Sequence, residues 1–116
     1  MKIRYMWKSE CVADIEYDLR SGFVKVTNYS DDLIRRPFGR NENPSSADME
    51  RFLESRCFPK NRDNCKQLLE LLGMDSIGYN PLAIVRKTHG RQHEDYAWLL
   101  FEGEDLDYER DIKLRP

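Results

Sequence analysis

The chain has no long apolar run. Its most apolar stretch, Tyr96–Phe101, is six residues, against the roughly 20 that a membrane-spanning helix needs. The first residues, Met1 to Lys8, lack the extended apolar segment of a signal peptide. A cytoplasmic location without membrane contact is therefore expected. Cysteine is sparse and odd in number: Cys11, Cys57 and Cys65, with no CxxC pair. A small secreted domain favours an even set, so reduced thiols packed as small hydrophobes are expected. There is no GxSxG, no phosphate-binding glycine loop and no HExxH. His89 and His93 are four apart but Gly90 lies between them, and that spacing clasps a metal only on an intact helix. No nucleophile–base pattern stands out. The expectation is a protein that is not an enzyme and holds neither cofactor nor metal.

What is there is a globular composition. Of 116 residues, 40% are hydrophobic and 34% charged, which suits one domain with a heavily charged surface and argues against disorder. The net charge of -2 conceals an asymmetry. Between Arg35 and Lys66 lie Arg35, Arg36, Arg40, Arg51, Arg56, Lys60, Arg62 and Lys66, against the acids Glu42, Asp48, Glu50, Glu54 and Asp63. Between Glu94 and Asp111 the sign reverses, with Glu94, Asp95, Glu102, Glu104, Asp105, Asp107, Glu109 and Asp111 facing only Arg110. Such asymmetry can steer a partner, or it can be two solvated surfaces that attract one another.

The order of elements reads β-β-β-α-α-α-β, an α+β domain. Residues 2–7, Val12 to Tyr17 and Phe23 to Tyr29 form an antiparallel β meander over 1–29, with turns at Lys8–Glu10 and Arg20–Gly22. Residues 28–44 are loop-like. A helical part spans 45–90. Ser45 and Asp48 stand in capping-box relation, and Met49, Phe52, Leu53 and Cys57 follow at helical spacing. Pro59 should end that helix. Asn61 or its neighbour should cap a second, with Cys65, Leu68, Leu69 and Leu72 as its stripe and Gly73 as its stop. Asn80 and Pro81 open a third, carrying Leu82, Ile84 and Val85 and stopped by Gly90. Residues 96–101 form the last strand. Trp98 and Phe101 should join Phe52, Leu53, Leu68, Leu69, Leu72 and Val85 in one core between helices and sheet. Residues 104–116 form an acidic tail in which like charges repel, so it should stay extended unless a basic surface receives it; Leu106, Tyr108, Ile112 and Leu114 are its possible docking residues.

Three regions are candidates for binding a larger protein or ribonucleoprotein. The loop with Arg35, Arg36, Phe38 and Arg40 joins arginine to an aromatic, a pairing favoured at interfaces; Phe38 could equally pin the loop to the core. Arg56, Lys60, Arg62 and Lys66 crowd the turn between the first two helices. Two helices joined by a short turn also fit a helix-turn-helix DNA-binding regulator, with Arg62, Lys66 and Gln67 on the presented helix. The acidic total charge and Asp63 weigh against that alternative. In the tail, Glu102, Glu104, Asp105 and Asp107 could occupy a basic nucleic-acid channel as a row of phosphates would.

Three segments carry a family resemblance: Phe52–Pro59 with Arg62, Tyr79–Gly90, and Glu94–Trp98. Together with the amino-terminal hairpin and Phe38–Pro44, they resemble short uncharacterised proteins of Firmicutes phages and mobile elements. The same pattern is similar to the small amino-terminal module associated with HipA-type kinases, without the kinase body. The resemblance implies a standalone protein-binding module that inhibits or regulates a larger protein, such as an anti-CRISPR-type inhibitor of a nuclease, or an accessory subunit of a HipA-type toxin–antitoxin system.

Overall fold

A computed structural model describes residues 1–57, 65–73, 79–92 and 95–113. It is an α+β fold. Strands β1 (Lys2–Trp7), β2 (Glu10–Tyr17) and β3 (Val24–Asn28) precede helices α1 (Ser46–Ser55), α2 (Cys65–Leu71) and α3 (Pro81–Thr88). Strand β4 (Ala97–Phe101) and a single wide helical turn, Tyr108–Ile112, complete the chain. The sheet is antiparallel, in the order β3-β2-β1-β4. The final strand thus returns to lie beside the first.

Alternation sets the two faces of the sheet, because successive side chains in a strand point to opposite sides. Ile3 and Tyr5 of β1, Ala13, Ile15 and Tyr17 of β2, Val24 of β3 and Ala97, Leu99 and Phe101 of β4 are buried in the main core. A register shift opposite Tyr5 and Met6 inserts Val12 as an extra residue, so that Val12 and Ala13 are both buried. The β1–β2 turn is tight, with Lys8 at φ 53. The Trp98 indole N–H holds it by donating to the Lys8 carbonyl at 2.7 Å.

The helices cover one face. The capping box expected at Ser45 and Asp48 forms: the Asp48 N–H donates to Ser45 Oγ and the Ser45 N–H to Asp48 Oδ2. Helix α1 then buries Met49, Phe52 and Leu53. The Phe52 ring meets Tyr5 edge-on, with centroids 5.2 Å apart. Asn80 caps α3 by accepting the Ala83 N–H, with Pro81 just inside the helix. His89, at φ 59, ends α3 one residue before the expected Gly90. Gly90 is required for a second reason. It has φ 66, and a Cβ there would lie 2.6 Å from a Leu99 methyl. Helix α2 contributes Leu69, buried, with Leu72 partly buried. Pro59 and Asn61 lie outside the described residues.

The other face corrects the single-core expectation. Trp98, 1% exposed, does not join the helices. With Met6, Leu100 and Leu106 it forms a second cluster, closed by Tyr108 and Ile112 of the terminal turn. The tail is therefore folded rather than extended. Its charges do not keep it open, because they find partners nearby. Asp107 accepts the Glu109 and Arg110 N–H groups, Arg110 pairs with Asp111, and Lys113 pairs with Glu109. The tail docks on tryptophan at the back of the sheet.

Candidate functional site

The sequence-level candidates separate into interior and surface residues. Arg56, expected at a contact surface, is buried, with 7% of its side chain exposed. It sits just past α1 and reaches across to the chain between α3 and β4. Its Nε and one terminal nitrogen donate to the Gly90 carbonyl, at 3.0 and 2.7 Å. It also meets both Asp95 carboxylate oxygens, at 2.8 and 3.0 Å, and the Ala97 carbonyl at 3.0 Å. A planar guanidinium, with five donors in a fixed fork, can serve three such acceptor groups at once and meet Asp95 through both oxygens. Burial alone would push the Asp95 carboxyl up. The Arg56 bonds and charge, with the Ala97 N–H, outweigh it and hold Asp95 below the ordinary carboxylate range.

Three further candidates are structural. Phe38 packs on Phe52, ring centroids 5.4 Å apart, so it pins its loop to the core. Glu104 does not project to solvent as a phosphate mimic. One oxygen meets His89 Nε2 at 2.8 Å and the other accepts the Phe101 N–H at 2.7 Å. Arg36 donates to the Ser30 carbonyl at 2.6 Å and braces the same loop. Glu102 is exposed and accepts weakly from the Lys2 N–H. Arg40, Lys66, Asp105 and Asp107 are exposed, while Lys60 and Arg62 lie outside the described residues. The expected basic patch is further dispersed by ion pairs, Arg36 with Asp31 and Arg51 with Asp48.

Arg35 alone leads to a built surface, at the end of the sheet where β1 turns into β2. Its guanidinium lies 4.7 Å from the centre of the Trp7 ring, positioned by Glu10 at 3.9 Å and Asp32 at 3.8 Å. Trp7 meets Tyr96 edge-on at 5.8 Å, and the Lys8 ammonium lies 4.5 Å over the Tyr96 ring. The result is a continuous row of Arg35, Trp7, Tyr96 and Lys8. Tyr96 is 51% exposed, and Ile34 beside Arg35 is 91% exposed. Two rings flanked by two cations gain attraction from the ring quadrupoles while remaining open to water. The sequence marks Trp7 and Tyr96 only as strand residues. Their separation by nearly the whole chain hid the contact, which arises because β4 pairs with β1 so that Lys8 and Tyr96 share a backbone hydrogen bond.

The back of the sheet carries a concavity of about 550 Å³, lined in part by Arg4, Asp14, Lys25, Thr27 and Glu102. Its charges are locally paired: Arg4 lies 3.6 Å from Asp14, which also accepts the Tyr29 hydroxyl at 2.6 Å. Among the described residues no group of three or more His, Cys, Asp or Glu side chains could hold a metal. Among the same residues no helix is long and apolar enough to cross a membrane. Burial pushes the Cys57 thiol up to about 12, aided by Glu54, so it is an unreactive packing residue. Comparison with family models, curated proteins and solved structures finds no match to this chain.

Proposed function

We propose that the protein is a non-enzymatic protein-binding module that regulates a larger partner by occupying part of its surface. The contact is centred on Arg35, Trp7 and Tyr96. The observation that carries this reading is the open row of cations and aromatics with the 91% exposed Ile34 at its edge. Tryptophan, tyrosine and arginine are the residues that most often dominate binding energy, because they bury large area at small cost in side-chain entropy. Ion pairs to Glu10 and Asp32 hold Arg35 before any partner arrives, which lowers the ordering cost of binding. A CRISPR nuclease or a kinase of the HipA type, as the family resemblance implies, are two partners to try.

The test replaces Ile34 with a photo-crosslinking residue and identifies the protein it captures in host lysate. Binding of that purified protein is then measured. Tyr96→Ala should weaken it at least tenfold, by the roughly 2 kcal/mol typical of an anchoring aromatic. Lys66→Ala on α2 should leave it unchanged. Binding that ignores Tyr96→Ala but is lost with Lys66→Ala would move the function to the helices and sink this surface.

A further inference from the structure

We propose that β3 is the docking edge for a second copy of this chain, the two β3 strands pairing antiparallel about Val26. Together they would form one continuous sheet of eight strands, four from each copy.

The inference begins with which backbone groups point outward. The Tyr29 N–H donates to the Val12 carbonyl, and Phe23 accepts from the Asp18 N–H. In an antiparallel ladder the bonded residues alternate, so Phe23, Lys25, Thr27 and Tyr29 face β2. The N–H and C=O groups of Val24, Val26 and Asn28 therefore point away from the sheet. No described residue bonds to any of them. Such a row is a ready template for another strand.

The side chains select what that strand is. Centring on Val26 places Val26 opposite itself and Val24 opposite Asn28, each pair able to exchange two backbone bonds. On the back of the sheet it places Phe23 opposite Tyr29 and Lys25 opposite Thr27. Phe23 is 56% exposed and Tyr29 59%. They sit three residues either side of the centre, so symmetric pairing brings them together twice, as aromatic cross-strand pairs. The one charge on the strand is also compatible. Lys25 is in register with Glu16 of β2, and Thr27 with Asp14. Each ammonium would then have a carboxylate on one side and a hydroxyl on the other, with no like charges directly opposed. The edge is thus complementary to itself in hydrogen bonds, aromatics and charge.

The test is sedimentation and light scattering of the full chain across a dilution series, with hydrogen exchange read at Val24, Val26 and Asn28. Wild type should move toward twice the 13.8 kDa chain mass as concentration rises, and those three amides should gain protection in step. Thr27→Lys sets an ammonium against Lys25 of the other copy, twice in the symmetric pair. It should weaken self-association by roughly tenfold while leaving the monomer folded. The double variant Lys25→Glu with Thr27→Lys restores opposite charges and should recover association. A chain that stays monomeric at every concentration overturns the proposal. So does a dimer indifferent to Thr27→Lys, or three amides that stay unprotected while the mass doubles. A monomer whose β3 amides are protected only by an added extended peptide would assign the edge to a different occupant.

Discussion

The two edges of the sheet are finished in opposite ways. Along β4 the outward groups are those of Ala97, Leu99 and Phe101. The Ala97 N–H donates to Asp95 and its carbonyl accepts from Arg56. The Leu99 N–H donates to the His89 carbonyl, and Phe101 is closed on both sides by Glu104, through the carboxylate and the backbone N–H. Along β3 none of the corresponding groups has a described partner. Natural sheets suppress open edges because they invite pairing. A chain that spends Arg56, Asp95 and Glu104 on one edge and leaves the other bare has made the two edges different. The lesson concerns charge as well as shape. Two residues from the acidic segment that suggest a binding surface, Asp95 and Glu104, are the caps of the closed edge.

The largest expected effect comes from breaking that closure at Arg56. Arg56→Ala leaves Asp95 without its counter-ion and the Gly90 and Ala97 carbonyls unsatisfied near the core. Removing one partner of a buried ion pair costs about 3–5 kcal/mol, a large share of the roughly 5–15 kcal/mol of a whole domain. Arg56→Lys should recover only part, since one ammonium cannot span the same acceptors. The pH dependence has a definite sign. Asp95 is depressed in the fold, so its contribution is present above the unfolded carboxylate pKa of about 4 and fades as pH falls through the lower folded value. Urea midpoints between pH 7 and 3 should therefore fall less steeply in Asp95→Asn than in wild type. An Arg56→Ala protein melting within a few degrees of wild type would mean that the closed edge does not need its caps.

A somewhat smaller loss should follow truncation after Gly103. The cut removes Glu104 from Phe101 and His89, and it strips Tyr108 and Ile112 from Trp98. Uncovering two large buried side chains costs about 1.5–3 kcal/mol each before the terminal segment regains its freedom. Trp98 fluorescence should shift to the red and the melting temperature should drop clearly. An unchanged melting temperature would restore the idea of a free acidic arm.

Much of the architecture was readable because its signals are local. Ser45 with Asp48 and Asn80 with Pro81 mark helix starts through chemistry confined to four residues, and both caps form as read. The strand order β-β-β and the return strand follow from short apolar runs and turns. What was not readable depends on parity and distance. Strand parity alone puts Trp98 and Phe101, three apart, on opposite faces, so one core could not hold both; what an all-apolar run such as Ala97–Phe101 hides is which of its two faces meets the helices. Leu106, Tyr108 and Ile112 stand out in the acidic tail as possible docking residues, and they do dock; what their spacing does not give is the surface that receives them, which is Trp98 rather than a basic patch. Arg56 reads as one basic residue among eight, and only the approach of Gly90 and Asp95 draws it inside. The surface row failed to appear for the same reason, since Trp7 and Tyr96 meet only once β4 is placed beside β1.

The smallest expected effect lies at the open edge, and its smallness is the point. Thr27 is exposed on β3, and its side chain lies on the back of the sheet beside Asp14. In dilute solution Thr27→Lys should change stability by no more than about 0.5 kcal/mol, the usual range for a surface position without special contacts. Asp14 is within cross-strand reach of the new ammonium and offsets part of the lost β-propensity. On the core face of the closed edge a lysine has no such tolerance. Leu99→Lys would bury an ammonium at a position with 0% exposure, at a cost of several kcal/mol. Measuring both variants in one urea series, at concentrations where the chain is monomeric, compares the edges directly. A large loss from Thr27→Lys under those conditions would show that β3 is already covered within the monomer, and the contrast between the edges would disappear.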